Sequence, residues 1–335
     1  MSDSIHDTVA VFFGFDERFS PYAYVSVSSL ISHCNPDRKY EIHILYTDLS
    51  EKTGNLFREL SKDNVRVFLD DISDRVSDVM RDLPIRDYYS VSTYFRIIIA
   101  ESFPQYDKAL YIDSDTVIED DVSKLFDTKL GSRLVGGVRE AVMAYYRECG
   151  DYAKKVVGVK ASRYFNAGVI LINSRAWREE KVLEKFIGLS SFYDFRIAQD
   201  QDYLNVICKD RVYYLSRKWN MECIHDWNIP EGKMGIIHFA FAPKPWHDAA
   251  SPYSTHFWKY AQLTPLYSKI KEGFSKYTDA QLRIEKETAS KVIEGCLEEI
   301  ERPDNYLKRL AMAKKRKNSE TNGVSLPERA IKALA

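Results

Sequence analysis

The chain is short of several things, and each shortage excludes a class of protein. Its 335 residues carry a formal net charge of only −1, which gives no global electrostatic reason to expect nucleic acid as a partner. Cysteine is scarce: Cys34, Cys149, Cys208, Cys223 and Cys296 are odd in number and never closer than 15 residues. Neither a paired disulfide framework nor a C-x-x-C metal site is therefore indicated. No run approaches the ~18 consecutive apolar residues of a membrane-spanning helix. The start, MSDSIHDTVAVFF, is acidic and lacks a basic n-region, which argues against a signal peptide. A reducing, cytoplasmic setting is the expectation.

What is present is the composition of a soluble globular protein, 45% hydrophobic and 29% charged. The length suits one large α/β domain with an appendage. In the first half, short apolar β-branched runs alternate with helical patterns. Strands are predicted at Thr8–Phe15, Glu41–Tyr46, Val65–Leu69, Ala109–Ile112, Arg133–Val138 and Gly168–Ile172. Helices are predicted at Tyr22–His33, from an N-cap at Ser50 to about Leu60, and at Thr93–Ser102, Ala176–Phe186 and Gln199–Cys208. Strands alternating with helices imply a parallel sheet with right-handed crossovers. After about Thr264 the texture changes: residues 279–300 read as one surface helix, and 302–335 carry nine Lys and Arg against three Asp and Glu. The expected division is a catalytic unit over 1–264 and a helical extension with a basic tail over 265–335.

One motif concentrates the chemistry. ALYIDSDTV places Asp113 and Asp115 directly after the apolar run Ala109–Ile112. Like charges two residues apart share a face and need neutralising beside a core. A lone D-x-D is more often a solvated turn than a site. At a strand end, however, where ligands of open α/β sheets bind, two aligned carboxylates suit a hard divalent cation with positions open for phosphate. The acids that follow, Glu119, Asp120 and Asp121, read as a solvated turn leading to a short helix at Ser123–Phe126.

Four ordered stretches extend this reading: KALYIDSDTVIEDDVSKLFDTKLG at 108–131, RYFNAGVILINSRAWR at 163–178, AQDQDYLN at 198–205 and IIHFAFAPKPWH at 236–247. Together they resemble family 8 glycosyltransferases, retaining enzymes such as the bacterial lipooligosaccharide and lipopolysaccharide galactosyl- and glucosyltransferases. The resemblance implies a GT-A fold, an α/β Rossmann-like mixed and mostly parallel sheet flanked by helices. It implies transfer of glucose or galactose from UDP-glucose or UDP-galactose to a saccharide or glycolipid acceptor.

Carried over residue by residue, the resemblance makes Asp113, Asp115 and His238 ligands of Mn²⁺, with Mg²⁺ as a substitute. Arg96, Ser114 and Lys244 fall at the diphosphate and Asp16 at the uracil. Asn166, Glu140, Asp200 and Gln201 fall around the donor hexose, with Asp200 and Gln201 at the reacting face. Glu140 stands where galactosyltransferase relatives have Asp, Arg18 where a polar residue is common, and Phe241 where Gly is usual. Asp202 reads as a helix N-terminal acid, and Asn166 equally as a turn asparagine. Because Gln201 is an amide and a poor nucleophile, front-face transfer is favoured over double displacement. In lipopolysaccharide-type relatives basic C-terminal segments approach anionic membrane, so 302–335 is expected to make peripheral contact with the inner membrane face. Two alternatives stand beside this reading: a haloacid-dehalogenase-type phosphatase with Asp113 as nucleophile, and a non-catalytic UDP-sugar binder.

Overall fold

The computed structural model describes residues 8–80, 91–223, 234–240 and 243–319. Its strands are β1 (Thr8–Gly14), β2 (Lys39–Tyr46), β3 (Val65–Asp71), β4 (Ala109–Ile112), β5 (Thr116–Ile118), β6 (Val135–Arg139), β7 (Phe165–Ile172), β8 (Val212–Tyr214), β9 (Met221–Glu222) and β10 (Ile236–His238). Seven form a central sheet in the order β3-β2-β1-β4-β7-β6-β8, and three form a small sheet in the order β5-β10-β9. The central sheet is buried between helices, so β1 and β7 read as continuous apolar runs rather than alternating ones. Local signals behave as expected: Pro21 opens the helix Ser20–Ser32, and Ser50 caps Glu51–Arg58 by accepting from the Thr53 N–H at 3.3 Å.

The sheet departs from all-parallel at one strand. β7 runs antiparallel to both β4 and β6. It is also longer at its start than the apolar run GVILI indicates, so Asn166 lies inside a buried strand and not in a turn. The reversal has a consequence for the site. A parallel strand would present its start at the opposite edge, whereas the antiparallel β7 brings Asn166 and Gly168 beside the carboxyl end of β4. There the Asp113 N–H donates to Gly168 O at 2.6 Å. Asp113, Ser114 and Asp115 are thus the bridge by which the chain leaves the large sheet at β4 and enters the small one at β5. The Phe239 N–H fixes the other end by donating to Asp115 O at 2.9 Å.

Other expectations are corrected in detail. The helix anticipated over 176–186 is two, Ser174–Glu179 and Val182–Phe192, separated at Lys181, whose φ of 54° no α-helix accommodates. The helix anticipated over 279–300 is divided into Asp279–Lys286 and Thr288–Glu301. Over 93–102, a 3₁₀ turn at Val91–Tyr94 leads into the α-helix Phe95–Ser102. Glu119 is not solvated: it takes hydrogen bonds from His256 Nδ1 (2.7 Å) and Tyr260 OH (3.0 Å), which tie the helix Ser254–Ala261 to the end of β5. Asp121 is also engaged, accepting from Tyr40 OH at 2.6 Å.

A second core beneath the small sheet gathers Val25, Val117, Ile237, Trp246, Phe257 and Ile270. Trp246 stacks on Tyr22 with centroids 4.1 Å apart, anchoring the segment that carries Lys244 to the first helix. The late helices are packed in as well: Cys296 Sγ lies 3.6 Å from Cys149 Sγ, and Tyr193 OH donates to Glu299 at 2.8 Å.

Asp202 does more than complement a helix dipole. It is fully buried, and its carboxylate accepts from Tyr152 OH and Tyr164 OH, both at 2.7 Å, and from the Ala198 N–H at 3.0 Å. Burial nevertheless pushes its pKa from 3.8 up to about 6, against the pull of those hydrogen bonds. A carboxyl with a raised folded-state pKa binds protons more tightly in the native state, so stability falls as pH rises from the unfolded value through the folded one. Over that window the loss is of order 3 kcal/mol for a shift of about two units. Urea midpoints measured between pH 4 and pH 7 should therefore shift in favour of Asp202→Asn over the wild type as the pH rises, because the variant lacks this loss.

Candidate active site

The bridge between the sheets positions the carboxylates, and β10 supplies the group that faces them. His238, at the end of β10, pairs across the small sheet with Thr116 of β5. Its Nε2 lies 3.1 Å from Asp115 Oδ1 and 3.7 Å from Asp113 Oδ2. The three candidate ligand atoms lie within 4.8 Å of one another.

Hydrogen bonding fixes which ring nitrogen is free. The Gly168 N–H can only donate, and at 2.7 Å it identifies the acceptor as Asn166 Oδ1. Asn220 Nδ2 donates to the same oxygen at 2.8 Å, so Asn220 Oδ1 is left to accept from His238 Nδ1 at 2.8 Å. Nδ1 is thereby committed as a donor to Asn220, which leaves Nε2 as the nitrogen facing the two carboxylates. Two carboxylates with one imidazole nitrogen suit a divalent cation. Gly168 is indispensable to this arrangement: a Cβ there would lie 2.2 Å from His238 Cε1 and 2.6 Å from Asp113 Oδ2.

Cations flank the carboxylates. Lys244 Nζ donates to Asp115 Oδ2 at 2.7 Å and to Phe239 O. Burial alone would raise the Asp115 pKa, but Lys244 and His238 outweigh it and hold the carboxyl below its ordinary range. Arg96 is buried, and its guanidinium donates to Thr93 O (3.0 Å), Ala167 O and Asp113 Oδ1 (3.1 Å). It lies 4.5 Å from the Tyr111 ring centroid, with Asp200 Oδ2 3.1 Å from its Nε. The Nε hydrogen is directed to Thr93, which leaves Asp200 Oδ2 buried without a hydrogen bond. Burial pushes the Asp200 pKa up to about 7 against the attraction of Arg96.

The remaining candidates converge on the same cavity, of about 420 Å³, within the range of small-molecule sites. Asp16 lines it, with Oδ1 accepting from the Phe19 N–H at 2.8 Å. Arg18 reaches Asp16 Oδ2 at 3.3 Å but is otherwise turned to solvent. Ser114 Oγ donates to Gly14 O at 3.2 Å. Glu140 Oε2 accepts from Asn166 Nδ2 (2.6 Å) and Gln201 Nε2 (3.2 Å), and Gln201 Oε1 accepts from the Ala167 N–H at 2.8 Å. Phe241 lies outside the described residues. Two participants carry no sequence signal: Asn220 and Glu222, in the unpatterned stretch RKWNMEC, are both buried against the site.

Residues after 264 also reach the cavity. Val292 lines it, and Glu285 accepts from the Lys244 N–H (3.2 Å), His247 Nδ1 (3.0 Å) and Tyr277 OH (3.0 Å). The His247 ring stacks on Tyr277 at 3.8 Å. The segment bearing Lys244 is thus held from both sides, by Tyr22 through Trp246 and by Glu285.

Comparison with known proteins agrees with this architecture. The model of glycosyl transferase family 8 matches residues 10–250. The lipopolysaccharide 1,3-galactosyltransferase of Salmonella typhimurium is 25% identical over 272 residues, 75% of this chain and 77% of that protein. A lipopolysaccharide 1,2-glucosyltransferase of Escherichia coli is 26% identical over 279 residues, 76% of this chain and 77% of that protein. Among solved structures, the galactosyltransferase LgtC in complex with donor and acceptor sugar analogs superposes with a TM-score of 0.62 at 23% identity, covering 77% of this chain and 96% of that one. The fold is GT-A with helices appended at the C-terminal end, and the phosphatase alternative lapses. The chain belongs to glycosyltransferase family 8.

Proposed function

We propose that the protein transfers glucose or galactose from a UDP-sugar to a saccharide or glycolipid acceptor with retention at the anomeric carbon. The observation that carries this reading is the convergence of Asp113, Asp115 and the Nε2 of His238 in a cavity lined also by Glu140, Asn166, Asp200 and Gln201. Those three residues would hold Mn²⁺, or Mg²⁺ in its place. Such an ion neutralises negative charge that grows on a departing diphosphate. The chain adds cationic charge of its own. Lys244 lies beside Asp115 and can turn its ammonium to the diphosphate, while Arg96 keeps Asp113 in place and offsets its charge. Asp16 offers a carboxylate to the base N3–H of uracil, and Ser114 a hydroxyl to the diphosphate.

For retention, the C1–O bond to the diphosphate breaks and the new C1–O bond forms on the same face. The acceptor hydroxyl proton passes to the leaving diphosphate oxygen. Two features favour this course over a covalent intermediate. Gln201 is an amide held at both ends, by Ala167 and Glu140. Asp200, with a pKa raised to about 7, is a weak nucleophile near neutrality, and its unbonded buried oxygen is better suited to a donor-sugar hydroxyl. A glycosyl adduct on Asp200 detected by mass spectrometry would overturn the front-face course.

In this reading residues 1–264 form the catalytic unit and 265–335 an extension that braces it. The helix Tyr306–Ser319 is rooted by buried Tyr306 and exposes Lys314 and Lys315, a surface that supports peripheral contact with anionic lipid at about 1 kcal/mol per cation. Among the described residues no helix is long and apolar enough to cross a membrane.

Three measurements test this. UDP-glucose or UDP-galactose should raise the melting temperature in the presence of Mn²⁺ and be slowly hydrolysed without acceptor, and Asp115→Ala should abolish that hydrolysis. Stabilisation by UDP with no turnover of any UDP-hexose would instead identify a non-catalytic binder. Gly168→Ala, which drives a methyl into His238 and Asp113, should lower Mn²⁺-dependent turnover by at least about 100-fold, the scale of misplacement by an ångström. Charge reversal at Lys314 and Lys315 should reduce co-sedimentation with anionic vesicles, and unchanged co-sedimentation would remove the membrane contact.

A further inference from the structure

We infer that Gln199 is a positioning residue for the donor sugar: its left-handed backbone, and not its side chain, is what presents Asp200 and Gln201 to the cavity. The inference rests on the glycosyl-transfer reading of the site and adds to it a residue to which that reading gives no task.

Four non-glycine residues among those described have a positive φ: Lys181, Gln199, Asp210 and Tyr253. Lys181 and Asp210 are exposed and Tyr253 is half-buried. Gln199 alone is buried, at 3% exposure, and it stands directly before two residues of the site. Its φ of 39° brings Cβ towards a neighbouring carbonyl oxygen, a conformation that glycine adopts freely and a longer residue resists. The side chain gives no return for this. Gln199 Oε1 is buried without a hydrogen-bond partner, and Ile197, Ala198, Asp200 and Gln201 line the cavity while Gln199 does not. A conformation so unfavourable persists only where the surroundings impose it.

Here they do. The helix Gln199–Ile207 is tied to the segment that leads into it. Tyr203 OH donates to Tyr193 O at 2.9 Å and accepts from the Phe195 N–H at 3.2 Å, and Asp202 accepts from the Ala198 N–H at 3.0 Å. The incoming chain therefore lies against the helix it is about to form and must reverse between Ala198 and Asp200. The Gln201 N–H closes the reversal by donating to Ala198 O at 2.9 Å, with Gln199 second in the turn, where primed turns take a positive φ. Rotation at this one residue re-aims both side chains that follow it. Asp200 Oδ2 would leave its place 3.1 Å from Arg96 Nε, and Gln201 its span between Ala167 and Glu140. Asp16, Ser114 and Lys244 stand on other segments and are untouched.

The test compares full-length wild type with Gln199→Gly, Gln199→Val and Gln199→Thr. Acceptor-free hydrolysis of UDP-glucose and UDP-galactose with Mn²⁺ gives kcat and KM, and calorimetry gives Kd for UDP. Glycine holds a left-handed turn without strain, so Gln199→Gly should match the wild type in kcat/KM. Valine, β-branched, is driven to negative φ. Gln199→Val should therefore lose about 100-fold in kcat/KM, the scale of an ångström of misplacement, with UDP affinity unchanged. A residue that only filled space would give the opposite order, because glycine leaves the larger void. If Gln199→Val does not fold, Gln199→Thr carries the same expectation. A loss of activity in Gln199→Gly, a β-branched variant with wild-type kcat/KM, or a matching loss of UDP affinity would each overturn the role of Gln199. A wild type that hydrolyses neither sugar would overturn the transfer reading itself, and the inference with it.

Discussion

Asp113 and Asp115 hold two negative charges at the one place where the chain passes from the large sheet to the small one, and neither can retreat, because both backbones are pinned there. Most of the surrounding structure answers that constraint. Arg96 reaches in from the helix Phe95–Ser102, His238 from β10, and Lys244 from the segment that Trp246 anchors. A charge cluster that is unfavourable in isolation becomes a cation-seeking centre because its neighbours are placed before any ligand arrives, which is the condition for stabilising charge that develops on a leaving group.

The same preorganisation runs on without a break to the residues proposed to face the sugar. From His238 the hydrogen bonds pass to Asn220, to Asn166, to Glu140 and to Gln201. Asn166 and Gln201 have their directions set by backbone N–H groups that can only donate, and Asn220 takes its own from Asn166. The metal-binding candidates and the residues proposed to face the sugar are therefore two ends of one oriented network, and a change at either end is felt at the other.

Much of this was legible from the sequence, for reasons that particular residues make clear. Asp113 and Asp115 could be read because polar residues directly after a buried apolar strand are a local signal, whereas His238 was indicated only by the family resemblance of the stretch IIHFAFAPKPWH. Most strands and helices could be placed from period alone. The direction of β7 could not, since a run such as GVILI looks the same whichever way the strand lies. The bonding of Glu119 was hidden because its partners, His256 and Tyr260, lie about 140 residues away. Asn220 and Glu222 were hidden because an isolated polar residue in a short strand has no period, and only burial beside Asn166 and Glu140 gives it meaning. Lys181 interrupts a helix through a left-handed backbone that its side chain does not announce.

The brace on Lys244 has a consequence for how the molecule comes into being. Glu285 and Val292 stand more than 160 residues after the carboxylates they help to enclose. At a translation rate of about 5–20 residues per second, Asp113 and Asp115 leave the ribosome well before the helices that complete their pocket. For that interval the nascent chain carries its charge cluster half-walled. Assembly of the pocket is accordingly a late event, however early the central sheet condenses.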